Sequence, residues 1–236
     1  MHANPHWYTI YPMEHYIAPE KTRSIIFLNK HIATDLWTQV DFASLYVSTV
    51  QVQMAAGKLL IINTYNHCTN TNAIDCVLSV MQTRGGTRNT VGVKHIIWLG
   101  DFNRHHPMWD EDHNAHLFMR TNLDGAQHLI NVVIELNLKM ALPKDLLTLC
   151  AMVSGNHMRP DNVFMSALPH SSIIKCMTIL EERPARTDHL PIVTMVNLAP
   201  EMWTETLKPN YRKENWEEFR ETLVSRLGGL EAKEEI

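Results

Sequence analysis

Apolar residues recur along the chain in short runs, and polar residues follow each run closely. Six of these runs have the length and the β-branched or aromatic content that are typical of strands. Two longer stretches repeat apolar residues every three to four positions, which is the period of an amphipathic helix. The predicted strands are residues 24–28, 48–53, 59–63, 95–100, 161–165 and 192–196, and the predicted helices are residues 73–84 and 124–136.

The order of these elements predicts an α/β protein in which strands outnumber helices. Residues 48–53 and 59–63 are joined by a short link that contains Ala56-Gly57, which favours an antiparallel hairpin. Two packed, mainly antiparallel or mixed sheets flanked by helices satisfy this pattern.

The pattern changes after Pro200. Asn215 is followed three residues later by Glu218, the spacing of a capping box, and an apolar helix face follows. This helix either packs back on the domain or connects to a further domain. We expect a domain at residues 1–198 and a linker with an amphipathic helix at 199–236. The face consists of Trp216, Phe219, Leu223 and Leu227.

Composition is that of a globular protein, with 45% hydrophobic and 19% charged residues. The four cysteines show no Cys-x-x-Cys spacing, which argues against a zinc knuckle and against a disulfide scaffold. No apolar run approaches the ~20 residues of a membrane span, and the first residues lack a signal-peptide pattern. We expect an intracellular protein, nuclear or cytoplasmic, that is neither secreted nor bound to a membrane.

Net charge is −4, and the last 39 residues carry most of it, with nine acidic and six basic side chains. The remainder has 16 acidic and 15 basic side chains and is close to neutral. This balance permits a nucleic-acid substrate without supporting one.

Candidate chemistry begins where the run at 95–100 ends, at Gly100-Asp101-Phe102-Asn103. A carboxylate beside a carboxamide at the end of a strand can orient a water molecule or hold a hard cation. The alternative is a strand followed by a simple Asx turn.

Three other strand ends carry polar side chains of the same kind. Tyr65-Asn66 follows residues 59–63, Asp161 opens residues 161–165, and Asp188-His189 precedes residues 192–196. Each is weak alone. In this order they resemble the endonuclease/exonuclease/phosphatase superfamily of DNase-like enzymes.

Longer sequence segments make the resemblance more specific. Gly100-Asp101-Phe102-Asn103 with His106-Pro107 and Trp109, the segment 159–164 and the segment 187–192 are similar to the endonuclease domain of fungal LINE-type (non-LTR) retrotransposons. The resemblance extends from about His6 to the Trp216 region. It implies a four-layered sandwich of two sheets flanked by helices.

The resemblance also implies roles for individual residues. Asp101 and Asn103 would orient and deprotonate the attacking water, and Tyr65 would donate to the phosphate. His189 would contact a phosphate oxygen or transfer a proton, with Asp161 orienting its ring, and Asp188 would lie near Mg²⁺, for which Mn²⁺ could substitute. Asn66, Arg104 and Arg159 are the predicted substrate contacts.

The implied substrate is DNA, with no small-molecule cofactor and no membrane, and a reverse transcriptase would be a partner in a full-length element. The His-rich run at 105–116 lacks His-Glu-x-x-His and any other tight ligand spacing, so we do not expect a zinc site there.

The chain departs from the family at its start. Family members begin with a strand that carries an Asn and then a Gln-Glu pair whose Glu binds the metal, and neither motif is present. We therefore expect an N-terminally incomplete domain with missing first strands and weakened Mg²⁺-dependent activity. The alternatives are an inactive retroelement remnant and a lipid or inositol phosphatase of the same fold.

Overall fold

The computed structural model describes residues 5–54, 57–83, 92–152, 155–166, 173–197 and 215–227. The chain divides into two compact units, Met1–Glu201 and Met202–Ile236. The strands are β1 (Trp7–Ile10), β2 (Ile26–Asn29), β3 (Trp37–Thr38), β4 (Val47–Met54), β5 (Gly57–Tyr65), β6 (Val93–Asp101), β7 (Leu138–Met140), β8 (Leu149–Cys150), β9 (His157–Met158), β10 (Asp161–Ser166), β11 (Ile173–Thr178) and β12 (Ile192–Val196), and the helices are α1 (Asn72–Gln82), α2 (Arg120–Glu135) and α3 (Trp216–Leu227).

A mixed sheet of six strands forms the centre of the first unit, in the order β3-β4-β5-β6-β10-β7. β5 and β6 pair in parallel, and every other pair in this sheet is antiparallel. β5 and β6 are joined through α1, as parallel neighbours require a crossover connection. The predicted hairpin of residues 48–53 and 59–63 is confirmed as β4 and β5.

Helices α1 and α2 cover one face of this sheet. Alternate residues of each central strand point to opposite faces, so Leu60 lies in the core under the helices while Leu59 lies in a core on the other face. Trp98 and Phe102 are fully buried on the helix side, with ring centroids 5.2 Å apart. Burial of aromatic and aliphatic side chains of this size contributes about 1.5–3 kcal/mol each.

The other face of the sheet is covered by two separate antiparallel pairs. β1 and β2 place Ile10 and Leu28 against Val50 of β4. β11 and β12 contribute Cys176 to a core with Val163. In the described residues, the second layer of strands is therefore divided into two pieces. The predicted α/β class, with a mixed sheet and flanking helices, is confirmed.

The structure agrees with the predicted elements and extends several of them. All six predicted strands and both predicted helices are present, but α2 begins at Arg120, four residues before the predicted start. Residue 84, the predicted end of the first helix, lies outside the described residues. Short strands with two to four residues, such as β3 and β7, were not predicted because such short segments show no period.

In the second unit, α3 begins as the capping pattern predicts. The Asn215 side-chain oxygen accepts hydrogen bonds from the backbone N–H groups of Glu217 and Glu218, at 3.2 and 3.4 Å. Across the described residues, every helix is too short or too polar to cross a lipid bilayer.

Candidate functional site

Three polar side chains form one row across neighbouring strands of the central sheet. Asp101 is the last residue of β6, and it pairs in register with Tyr65 at the end of β5 and with Asp161 at the start of β10. Because β10 runs antiparallel to β6, its first residue lies beside the last residue of β6. The sheet topology thus brings together three residues that are far apart in sequence.

Gly100 allows the strands to approach each other closely just before Asp101. Its φ is +139°, a conformation that residues with a side chain rarely adopt. A Cβ atom here would overlap the backbone oxygen of Thr64 on β5. Glycine at this position is therefore a steric requirement of the β5–β6 pairing.

Asp101 and Asn103 are held by a tight turn. The Asp101 Oδ1 atom accepts a hydrogen bond from the Asn103 backbone N–H at 3.0 Å, and Asn103 has a positive φ of 49°. Asparagine tolerates this left-handed conformation better than most residues. The Asn103 side-chain amide donates to the Asn66 carbonyl at 2.9 Å. The Asx turn is thus present, and it fixes the carboxylate in the row.

His189 reaches this row from a distant segment. An isolated bridge pairs it with Leu149, and the Leu190 backbone N–H donates to the Thr148 carbonyl at 2.7 Å. The His189 Nδ1 atom lies 2.9 Å from the Asp161 Oδ2 atom. Since a carboxylate only accepts, this contact places the proton on Nδ1 and leaves Nε2 for other chemistry.

Burial and neighbouring charges shift the pKa values in this group. Desolvation, followed by repulsion from Asp161, raises the pKa of Asp101 from 3.8 to about 6. The hydrogen bond to Asp161 raises the pKa of His189 above its usual value. Desolvation and the Asp101 charge also raise the pKa of Tyr65. Perturbed groups of this kind cluster at functional sites.

Asp101, Asp161 and His189 form the one group of three in the described part of the chain that could hold a metal ion. Their ligand atoms all lie within 4.8 Å of one another. The two carboxylates are close enough to repel each other, and a divalent cation between them would remove that repulsion. The donor set therefore fits a hard cation such as Mg²⁺ through its two carboxylates.

Asp188 is adjacent to this group in sequence but is engaged elsewhere. Its Oδ1 atom lies 3.9 Å from Arg183 Nη2 and 3.4 Å from the Met152 backbone nitrogen. Its side chain is half-exposed. The Asp188 carboxylate therefore faces an arginine in this conformation. Its predicted position near the cation stays a prediction.

The three predicted substrate contacts are buried. Asn66 is 0% exposed and donates to three backbone carbonyls, including that of Phe102 at 3.2 Å. Arg159 is 1% exposed, and its guanidinium donates to the carbonyls of Leu142 and Pro143. In this conformation, Asn66 and Arg159 hold the loops around the site through these hydrogen bonds. Their predicted contact with the substrate stays a prediction.

Arg104 is also largely buried. It is 5% exposed and donates to the carbonyls of His67, Cys68 and Asn70. Arginines are rarely this deeply buried.

Two supporting residues were not predicted from the sequence. Thr148 is 0% exposed, and its hydroxyl accepts from the Asp161 backbone N–H at 3.2 Å. Arg183 donates to the Thr187 carbonyl at 2.7 Å and so braces the segment that carries His189. A polar Thr148 inside the apolar run 146–149 is a signal that could have been noticed. Arg183 has no comparable signal.

The His-rich run is linked to the start of β10 through Asp110. Asp110 is 0% exposed and lies 3.4 Å from His105 Nδ1, and its Oδ1 atom accepts from the Arg159 backbone N–H at 3.2 Å. No group of metal-binding side chains occurs among the described residues of this run.

Comparison with solved structures identifies chains of similar fold. The endonuclease domain of TRAS1, a telomere-specific non-LTR retrotransposon, is 15% identical and has a TM-score of 0.56, covering 81% of this chain and 80% of that one. An AP endonuclease from Leishmania major, LMAP, is 14% identical with a TM-score of 0.49, covering 66% and 56%. The 3′ phosphatase NExo from Neisseria is 16% identical with a TM-score of 0.45, covering 64% and 65%.

Sequence comparison gives the family. Curated protein sequences provide no significant match. The family model described as endonuclease-reverse transcriptase matches residues 59–193, a segment that contains Tyr65, Asp101, Asp161 and His189. Because this segment is more than half of the 236 residues, the chain belongs to that family, within the endonuclease/exonuclease/phosphatase superfamily.

Proposed function

We propose that the chain is a divalent-metal-dependent phosphodiesterase that nicks DNA, as the endonuclease of a non-LTR retrotransposon. The observation that carries the proposal is the group formed by Asp101, Asp161 and His189, with ligand atoms within 4.8 Å of one another. A reverse transcriptase partner and an intracellular, nuclear or cytoplasmic location belong to the same proposal. The likeness to the TRAS1 endonuclease domain supports the DNA substrate.

Asp101 is the residue that activates the attacking water. One of its oxygens is fixed by the Asn103 backbone N–H, so the other is free to accept a proton from water. A raised pKa of about 6 makes Asp101 a stronger base than an ordinary aspartate while it stays mostly ionised at neutral pH. Asn103 holds the turn and offers its amide near the phosphate.

His189 acts on the phosphoryl group or the leaving oxygen. Asp161 holds its Nδ1 side at 2.9 Å and favours the protonated ring. An imidazolium next to the scissile phosphate can neutralise developing negative charge or give a proton to the leaving oxygen. Tyr65, in the same row, can donate its hydroxyl proton to a phosphate oxygen.

A divalent cation fits beside these residues. When bound, it would stabilise negative charge on the phosphoryl oxygens as a Lewis acid. Asp101 and Asp161 would hold it, and Mg²⁺ is the first choice because it prefers oxygen ligands, with Mn²⁺ as a substitute. Two protein carboxylates are few for such a site, so we expect weak metal affinity and slow nicking.

The direct test is nicking of supercoiled plasmid DNA by the full chain. We expect slow conversion to open circles with Mg²⁺ or Mn²⁺ and none with excess EDTA. His189→Ala should reduce the rate by about 10²-fold or more, since it removes the proton donor. His128→Ala is the matched control: His128 is on α2 and pairs with Asp75 at 2.6 Å, so its loss should leave the rate unchanged.

No metal-dependent nicking by the wild-type chain would reject the proposed activity in favour of an inactive remnant. Equal nicking by wild type and His189→Ala would reject the assigned site.

The pH profile of nicking should have two limbs. Asp101 must lose its proton, so the rate should rise with pH on the acid side and then level off. The pKa of Asp101 is about 6 without a cation, and a bound divalent cation favours the ionised form, so this limb should lie below about 6 when Mg²⁺ is saturating. His189 must keep its proton, so the rate should fall at higher pH, beyond the ordinary range of histidine because its pKa is raised. The pH–rate profile of plasmid nicking measures both limbs.

Asp161→Asn should move both limbs to lower pH. Without the Asp161 charge, Asp101 ionises more easily and His189 loses its proton more easily. We also expect about a tenfold lower maximal rate because the ring is held less firmly. A profile that keeps its position in Asp161→Asn would contradict these assignments.

A further inference from the structure

A cavity lies beside the site and shares only Asn103 with the catalytic turn. Its volume is about 310 Å³, large enough for a phosphate group with part of its nucleoside. The walls are the loop before α1, the loop after β6 and the first turns of α2. None of the described residues that line it is acidic. They include Asn70, Asn72, Asn103, Arg104, Thr121 and Gly125.

Arg104 places a buried positive charge in the wall of this cavity. Its hydrogen-bond partners are backbone carbonyls, and among the described residues no carboxylate forms an ion pair with it. Desolvation lowers its pKa. Arg159 is different, because the buried carboxylate of Asp110 lies next to it. Burying an uncompensated charge is costly, so the site favours an anion.

The Nε atom of Arg104 has no hydrogen-bond partner in the described residues, although the side chain is 5% exposed. It faces Gly125 of α2, which also lines the cavity. A Cβ atom on Gly125 would lie 3.2 Å from Nε and 3.5 Å from Cδ. The absence of a side chain on Gly125 therefore lets α2 pack closely against the guanidinium beside the cavity.

The beginning of α2 adds to the positive potential. α2 starts at Arg120, its cap residue Met119 does not cap the helix with its side chain, and its first turn contains no acidic residue. The first N–H groups of a helix point away from its body and attract anions. The beginning of α1 contributes less, because its first turn contains Asp75 and the Asn72 backbone N–H donates to the Asn70 side-chain oxygen at 3.2 Å.

Asn103 connects the cavity to the catalytic row. Its side chain is part of the cavity wall, and its backbone N–H donates to Asp101. A nucleic-acid strand whose scissile phosphate lies at Asp101 therefore passes the mouth of the cavity.

We infer that this cavity binds a phosphodiester group of the nucleic-acid strand, next to the one that is cleaved, through Arg104 and the first turn of α2. The inference rests on the proposed function for its ligand, but phosphate binding itself can be measured without catalysis. It places the predicted substrate contact of Arg104 in a largely buried subsite.

Thr121→Glu tests the subsite without disturbing the fold. Thr121 is exposed in the first turn of α2, where an acidic residue suits the helix dipole, so the variant should melt at or above the wild-type temperature. Its carboxylate would repel a phosphate in the cavity. Gln127→Glu adds the same charge to an exposed position of the same helix, outside the cavity, and is the matched control. Gly125→Ala is a second variant, which narrows the cavity beside Arg104.

The binding of inorganic phosphate and of a fluorescent ten-nucleotide single strand should be measured for the full chain in EDTA. We expect about tenfold weaker binding of both probes by Thr121→Glu, weaker binding by Gly125→Ala, and wild-type binding by Gln127→Glu. Equal affinities of wild type and Thr121→Glu for both probes would overturn the subsite.

The two probes separate the inference from the proposed function. Phosphate binding that is lost in Thr121→Glu, together with absent nicking, would retain the subsite and reject the activity. Nicking that proceeds equally in wild type and Thr121→Glu would retain the activity and overturn the subsite. Inorganic phosphate binding without oligonucleotide binding would overturn the assignment to a nucleic-acid strand.

Discussion

Replacement of Asp101 by Asn is expected to reduce plasmid nicking by at least about 10²-fold and, at the same time, to raise the melting temperature of the protein. The loss of rate follows from loss of the base that accepts the proton of the attacking water. The turn should survive, because an Asn side-chain oxygen can still accept the Asn103 backbone N–H bond. The two effects together distinguish a catalytic carboxylate from a structural one.

The sign of the stability change follows from the pKa of Asp101. Folding raises it from 3.8 to about 6, so the folded chain binds this proton more tightly than the unfolded chain. The fold therefore loses stability as pH rises from about 4 to about 6, and the loss is complete at neutral pH. A neutral Asn avoids it and should gain about 2 kcal/mol at pH 7.5, or several degrees in melting temperature.

Asp124→Asn is the control for this experiment. It removes the same charge from an exposed position of α2, where Asp124 lies 3.9 Å from Arg120, and such surface pairs contribute little. We expect wild-type nicking and a nearly unchanged melting temperature. A destabilised Asp101→Asn protein, or one that nicks at the wild-type rate, would show that Asp101 has a different role.

The second large expected effect is the loss of stability caused by a substitution at Gly100. Gly100→Ala should lower the free energy of unfolding by about 3–5 kcal/mol, because the new Cβ overlaps the Thr64 backbone oxygen and the residue has a φ of +139°. The strands must separate to relieve this overlap, which moves Asp101 away from Tyr65. Urea unfolding followed by circular dichroism measures the stability loss.

Gly155→Ala serves to separate the two causes of the stability loss expected for Gly100→Ala, which are atomic overlap and backbone strain. Gly155 also has a positive φ, +68°, but a Cβ there would meet no atom within 4 Å. We expect a loss of only about 1–2 kcal/mol, the cost of the left-handed conformation alone. If both variants lose the same stability, the close approach of β5 and β6 at Gly100 is not a constraint.

Local patterns predicted the longer strands well because each of them carries a continuous or alternating apolar run. The six predicted strands include β5 and β6, whose residues alternate between two cores. The predicted site also followed local rules: Asp101, Asp161 and His189 each stand near the end of such a run. Asp101 and Asp161 meet because their strands join one sheet, whereas His189 reaches them through a segment that precedes β12 of another sheet.

The pairing order of the strands was not accessible in the same way. β10 lies between β6 and β7, although it follows both in sequence, and no local pattern encodes that insertion. The start of α2 at Arg120 was missed because Arg120, Thr121 and Asn122 are polar and give no apolar period.

Buried arginines show a further limit of local reasoning. The Arg159 guanidinium donates to the carbonyls of Leu142 and Pro143, which are 17 and 16 residues away in sequence. Asp188 likewise faces Arg183 across a loop. Partners of this kind come from tertiary structure, so the sequence could not indicate them.

The register of the row formed by Tyr65, Asp101 and Asp161 determines where the chain can tolerate insertions and deletions. Removing one residue within β6 would shift every later side chain of that strand to the opposite face of the sheet. The Asp101 carboxylate would then point away from Tyr65 and Asp161. A length change in the loop between β6 and α2 leaves this register intact. Length variation among relatives should therefore concentrate in the loops and spare the three strands.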